Sequence, residues 1–84
     1  MKYIVDWTDD ALSALTAIWL QASDRRAVTS AQDQLDRLLA TNPLDKGRPV
    51  SEGLYAIEVH PLRALYEVSD ADRVVTVATV NPLD

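Results

Sequence analysis

The chain of 84 residues has no cysteine, only two glycines and no long apolar run. Without cysteine it can form neither a disulfide framework nor a thiolate metal site, and nothing ties it to an oxidising compartment. A membrane-spanning helix needs about 20 apolar residues, and the opening segment MKYIVDWTDD turns acidic at Asp6, which argues against a signal peptide. We therefore expect a soluble, cytoplasmic protein that folds as a single domain over residues 1–84.

Basic residues are also scarce, because eight Lys and Arg stand against thirteen Asp and Glu, a net charge of −5. Nucleic-acid binding depends on cationic contacts to phosphate, and this composition gives no general footprint of that kind. A nucleic-acid role would require a local basic patch. The sequence also lacks a glycine-rich phosphate loop, a credible Ser-His-acid set and any cluster with metal-ligand spacing, so we predict no metal and no cofactor.

The first half of the chain is typical of one strand followed by two helices. Residues 2–7 alternate between apolar and polar, which predicts a strand. Thr8 is a suitable N-cap for a first helix, and Ser23 or Asp24 can cap a second helix, which Asn42 and Pro43 end. The short connector favours an antiparallel helical hairpin. In the first helix, apolar residues at spacings of three and four predict the buried face: Ala11, Leu12, Leu15, Ile18, Trp19 and Ala22.

In the second half the periodicity changes from helical to alternating. Residues 43–53 include two prolines and both glycines, and we expect a loop there. Strands are predicted at 54–59, 62–68 and 73–80. The element order is therefore β-α-α-β-β-β. We predict a two-layer α+β fold in which the helical hairpin packs on a four-stranded, mainly antiparallel sheet.

Tight turns at both hairpins would determine which side chains share a face of the sheet. With such turns, Val75, Val77 and Thr79 belong to the apolar face that the helices should cover. The opposite face carries the ionised side chains of the inner strands, with Glu58 opposite Arg63 as a cross-strand ion pair. We expect a functional surface on this second face.

Two segments carry a family pattern. RALYEV at residues 63–68 is followed by the acidic turn SDAD and the valine-rich strand RVVTVATV, and the opening VDWTDDALSAL joins a strand to a polar helix cap. With the element order, these motifs resemble the RelE/ParE superfamily of toxins from bacterial type II toxin-antitoxin systems. The resemblance implies a growth-inhibiting toxin that a cognate antitoxin neutralises. It implies action either by ribosome-dependent mRNA cleavage or by binding a target such as DNA gyrase.

The resemblance also indicates candidate site residues. Cleavage of RNA by its own 2′-hydroxyl needs a base, an acid and cations around the phosphate. Arg63 matches the arginine of the family phrase and is a catalytic candidate, while Lys46 and Arg48 fall in the loop where members bind substrate. His60, the only histidine, is a second catalytic candidate because imidazole transfers protons near neutral pH. Each has a structural alternative: Arg63 as the partner of Glu58, His60 as a turn residue, and the loop cations as solvated side chains.

The chain departs from the mRNA-cleaving members at two places. Ala56 and Glu58 stand where many of them have basic residues, and the last strand runs into Asn81-Pro82-Leu83-Asp84 instead of basic or aromatic groups. A gyrase-directed toxin needs no nuclease site, and a catalytically inactive protein-binding module needs none either. The sequence leaves these two functions open beside the ribonuclease.

Overall fold

The computed structural model describes residues 2–83, in which a helical hairpin covers one face of a five-stranded sheet. The sheet order is β1-β5-β4-β3-β2, and β1 runs parallel to β5 while the other pairs are antiparallel. This confirms the α+β class and the mainly antiparallel sheet. The elements are β1 (Ile4–Trp7), α1 (Asp9–Gln21), α2 (Arg25–Thr41), α3 (Pro43–Lys46), β2 (Arg48–Ser51), β3 (Leu54–Val59), β4 (Leu62–Ser69) and β5 (Val74–Pro82).

The two long helices begin where their caps predict. The Thr8 side chain accepts a hydrogen bond from the backbone N–H of Ala11, and Asp24 accepts one from Ala27. The connector between them is short, as the hairpin requires. In the part of the chain that the structure describes, no helix is both long and apolar enough to cross a bilayer.

The predicted buried face of α1 was too wide. Ala11 and Leu15 are buried, but Leu12 and Trp19 are 44% and 38% exposed. A helix on a flat sheet buries a stripe of positions three and four residues apart. Each of the two exposed residues lies one position beyond a buried or half-buried residue of that stripe, and so is turned toward solvent.

The segment 43–53 was predicted as a loop, and this was wrong. It forms the short helix α3 and the edge strand β2, which raises the strand count from four to five. Glu52 and Gly53 make a two-residue turn to β3, in which Gly53 adopts a φ of +76° that favours glycine. A two-residue turn ending in glycine was the sequence signal for this hairpin.

The register of the first predicted hairpin is confirmed and that of the second is wrong. Glu58 pairs with Arg63, as expected. The β4–β5 turn is longer than predicted, and the pairing shifts where Leu65 faces Thr79 and the next residue faces Val77. The extra residue on β5 is a β-bulge, which reverses the faces beyond it. Val80, at 2% exposure, therefore joins the core in place of Thr79.

The core lies between the hairpin and the covered face of the sheet. On the helical side, most of the core is formed by the buried face of helix α2. On the sheet side, β4 and β5 contribute alternate residues. This packing leaves the other face of the sheet without a helical layer, which we call the open face. The core residues with no exposure are Ala11, Leu35, Leu39, Leu62, Ala64, Tyr66, Val75 and Val77.

Candidate functional site

Three charged side chains meet on the open face at the end of the sheet where β3 turns into β4. The guanidinium of Arg48 lies 3.7 Å from a carboxylate oxygen of Glu58, and the Nε of Arg63 lies 3.8 Å from the same oxygen. Strand alternation and pairing put them together, because Arg48 pairs with Ala56 and Glu58 pairs with Arg63. We call Arg48, Glu58 and Arg63 the open-face cluster.

The open-face cluster is half exposed and weakly coupled. Side-chain exposures are 65% for Arg48, 44% for Glu58 and 36% for Arg63. Exposed ion pairs contribute about 0–1 kcal/mol to stability. Within residues 2–83, the buried Nε of Arg63 has no hydrogen-bond partner, so Glu58 meets it through charge alone. The cluster therefore sets the charge of the surface more than it stabilises the fold.

A buried alanine lies on the open face beside the cluster. Ala56 is only 2% exposed although it lies on this face, because its strand partners Arg48 and Leu65 flank it. Long arginine side chains cover apolar surface with their methylene groups. Ala56 is therefore covered by its strand neighbours and adds no exposed apolar surface beside the open-face cluster.

The structure separates His60 from Arg63. His60 is in the turn between β3 and β4, as its structural alternative predicted, and is exposed. It lines a groove of about 520 Å³ between the helical hairpin and the sheet end, together with Ile18 and Val28. Arg63 alternates with the buried Leu62 and so belongs to the opposite face. The two catalytic candidates therefore do not face one another across a common site.

The two substrate-binding candidates, Arg48 and Lys46, also lie in different places. Arg48 is in β2 and enters the open-face cluster, as its ion pair shows. Lys46 ends α3 and is exposed, and the two ion pairs of the cluster do not include it. In the described part of the chain, no group of three His, Cys, Asp or Glu residues could hold a metal ion.

Two tyrosine contacts were not predicted from the sequence. Tyr55 and Tyr66 stack across β3 and β4 with ring centres 5.6 Å apart, and the hydroxyl of Tyr66 also donates a hydrogen bond to the carbonyl oxygen of Pro43. At the other edge, Tyr3 donates a hydrogen bond to Asp70 and accepts one from Arg73. The contacts join residues far apart in the chain, and neither has a local pattern that could reveal it.

The fold is shared with solved toxins. The structure resembles a RelBE toxin-antitoxin complex from Mycobacterium tuberculosis with a TM-score of 0.82 and 21% identity, covering 98% of this chain and 92% of that chain. The chromosomal ParDE toxin-antitoxin system from P. aeruginosa matches with a TM-score of 0.77 and 17% identity, over 99% and 98% of the two chains. The isolated E. coli RelE toxin gives a TM-score of 0.69 and 20% identity, over 98% and 85%. These similarities establish an α+β toxin fold.

The sequence identifies the family within this fold. Residues 5–82 match the family described as the ParE toxin of the type II toxin-antitoxin system parDE. No curated protein matches the chain. The match covers nearly the whole sequence, so the chain belongs to the ParE toxin family of type II toxin-antitoxin systems.

Proposed function

We propose that this toxin inhibits growth by binding DNA gyrase, without cleaving RNA, and that a cognate antitoxin neutralises it. Membership of the ParE toxin family supports a gyrase target. The observation that carries the proposal is the position of Glu58 between Arg48 and Arg63. It argues for a surface that binds protein and against one that holds a phosphate.

The charge of the open-face cluster is unsuited to phosphate chemistry. A scissile phosphate needs uncompensated cations near the charge that builds on phosphorus. Here the carboxylate of Glu58 occupies the space between the two guanidinium groups and would repel an incoming phosphate. Binding to a protein partner does not require uncompensated cations.

The positions of the acid-base candidates support the same proposal. RNA cleavage requires a base and an acid on opposite sides of one phosphate. His60 lines the groove on the helical side of the sheet, whereas Arg63 belongs to the open face. We therefore propose that neither residue acts as a catalyst and that Arg48 and Arg63 contact the target. Arginine is enriched in the residues that dominate binding at protein interfaces.

Purified toxin in two parallel assays tests the proposal. We expect inhibition of DNA supercoiling by gyrase and no cleavage of mRNA on translating ribosomes. His60→Ala should inhibit gyrase as well as the parent does. Cleavage of mRNA that is lost in Arg63→Ala would establish a ribonuclease and overturn the proposal.

The antitoxin is tested in a bacterial host. We expect a small open reading frame beside this gene to encode the antitoxin. We expect the toxin to act on its target in the cytoplasm. Induced expression of the toxin should stop growth, and co-expression of the neighbouring product should restore it. Unimpaired growth with well-expressed toxin would instead indicate a catalytically inactive toxin-like module that only binds its partner.

A further inference from the structure

The hydroxyl of Tyr66 lies under α3 on the covered face of the sheet. Tyr66 is fully buried, and its hydroxyl donates a 2.5 Å hydrogen bond to the carbonyl oxygen of Pro43, the first residue of α3. A buried hydroxyl without a hydrogen-bond partner destabilises the folded state. This bond therefore holds the start of α3 against β4. Burial raises the pKa of Tyr66 to about 12, so the hydroxyl remains a protonated donor even at an alkaline pH where an ordinary tyrosine would ionise.

Gly47 approaches the same hydroxyl from the other end of α3. A β-carbon at Gly47 would lie 1.8 Å from the Tyr66 hydroxyl oxygen and 2.8 Å from the ring carbon that bears it. Glycine is needed here for space and not for its backbone freedom, since its φ of −94° is open to any residue. The Tyr66 hydroxyl therefore contacts the segment on both sides of α3.

Arg48 follows Gly47 directly, and its own strand holds it weakly. β2 is an edge strand of four residues whose pairing shifts after Pro49, a residue that has no N–H to donate. The ion pair from Arg48 to Glu58 is exposed and contributes little to the placement of the strand. The contact between Gly47 and Tyr66 is a buried anchor one residue away from Arg48.

We propose that Tyr66 is a positioning residue for the open-face cluster. Its hydroxyl holds α3 and Gly47, these set the start of β2, and β2 presents Arg48 to Glu58. Without the hydroxyl, β2 detaches more often and Arg48 leaves the cluster. The role rests on the proposed function of the cluster in target binding, yet the placement of β2 is measurable without gyrase.

Amide hydrogen exchange of the whole chain tests the placement. Tyr66→Phe removes only the hydroxyl, and Tyr55→Phe is the matched control, because its ring stacks on Tyr66 without making the bond to Pro43. In Tyr66→Phe we expect exchange to be roughly tenfold faster at the amides of residues 47–51, of which Pro49 has none, and tenfold is the factor for one lost hydrogen bond. Exchange in the centre of β4 and β5 should follow global stability only, and Tyr55→Phe should keep the parent rates in 47–51.

The proposal would be overturned if exchange in 47–51 were unchanged or if exchange accelerated uniformly over the whole sheet. Either result would show that Tyr66 only contributes to the core and does not position β2. Gly47→Ala gives an independent check because it keeps the hydroxyl and forces it away from the backbone. It should accelerate exchange in the same segment, and a variant that exchanges like the parent there would contradict the anchor.

A double-mutant cycle adds a functional measurement that a purely structural role would not affect. Arg48→Ala should weaken gyrase inhibition in the parent and have a smaller effect in Tyr66→Phe, because Arg48 is already misplaced there. Equal effects in both backgrounds would contradict positioning. A toxin that fails to inhibit gyrase at all would contradict the proposed function, while the exchange experiment would still decide the placement of β2.

Discussion

The two faces of the sheet differ in what holds them and in what they can do. On the covered face, Leu62, Tyr66 and Val77 have no exposure, and every apolar contact adds to stability. On the open face, Arg48 and Glu58 form an exposed ion pair whose removal should scarcely affect folding. The covered face therefore determines the fold, and the open face is free to differ between toxins that share this fold. Under the proposed function, the face that binds the target is the one that contributes least to stability.

The largest expected effect is on the covered side. Leu35 of α2 is fully buried, and Leu35→Ala should lower the free energy of unfolding by about 2–5 kcal/mol, because it removes apolar contacts and leaves a cavity. Leu20 of α1 is 58% exposed, and Leu20→Ala should change stability by less than about 1 kcal/mol. Urea denaturation measures both, and similar losses would contradict the burial difference.

The second-largest effect on stability is expected at alkaline pH, which should destabilise the packing of the covered face. The folded-state pKa of Tyr66 is raised by burial from 10.0 to about 12, so its contribution is complete below pH 10 and is lost as pH rises toward 12. The loss should be on the order of 2 kcal/mol. A hydrogen bond to Asp70 raises the pKa of Tyr3 as well, and this acts in the same direction.

The variant Tyr66→Phe distinguishes the pH effect of Tyr66 from that of Tyr3. Its free energy of unfolding should be lower than that of the parent at pH 8 by about 1–3 kcal/mol, the cost of the lost hydroxyl bond. Between pH 10 and 12 it should lose less further stability than the parent, because the raised pKa of Tyr66 is gone while that of Tyr3 remains. A variant whose pH profile parallels the parent throughout would refute the assignment to Tyr66.

The edge contact of β1 should give a smaller effect. Tyr3 links the first strand to the β4–β5 turn through Asp70 and Arg73, and Arg73 also lies over its ring. Tyr3→Phe and Asp70→Ala should each lower the melting temperature slightly, and the double variant should lose less than the sum because the two share one bond. Additive losses in calorimetry would show that the contact does not act as a unit.

The smallest stability effect is expected in the open-face cluster. Glu58→Gln should change the free energy of unfolding by less than about 1 kcal/mol. It releases both arginines, so the variant should elute from heparin at higher salt than the parent. Glu67→Gln is the matched control, since Glu67 is also exposed on this face but lies outside the cluster. Equal shifts for both variants would show that only net charge matters.

Much of the covered face could be predicted from the sequence, because burial imposes a period that can be read directly. The alternation in 54–59 and 62–68 predicted the register of the first hairpin, and Thr8 predicted the start of α1. For α2 the sequence offered two caps, Ser23 and Asp24, and Asp24 is the one that caps the helix. The second register was wrong because turn length and the bulge at Ala78 depend on tertiary pairing. The loop predicted at 43–53 was wrong because prolines are also found in edge strands.

Less of the candidate site could be predicted. The pair of Glu58 and Arg63 follows from strand register and was expected. The approach of Arg48 was not, since it requires the strand that had been assigned to a loop. Likewise, the sequence placed His60 in a turn but could not show that it lines the groove on the helical side.

We propose that the toxin binds gyrase through the two arginines of the open-face cluster. The most direct test is supercoiling inhibition by the double variant Arg48→Ala/Arg63→Ala against Arg26→Ala/Arg37→Ala, which removes two exposed cations from α2. We predict that the open-face variant loses at least about tenfold in potency, as expected when interface arginines are truncated, and that the α2 variant keeps the potency of the parent. Equal potency of the two variants would show that Arg48 and Arg63 do not bind gyrase.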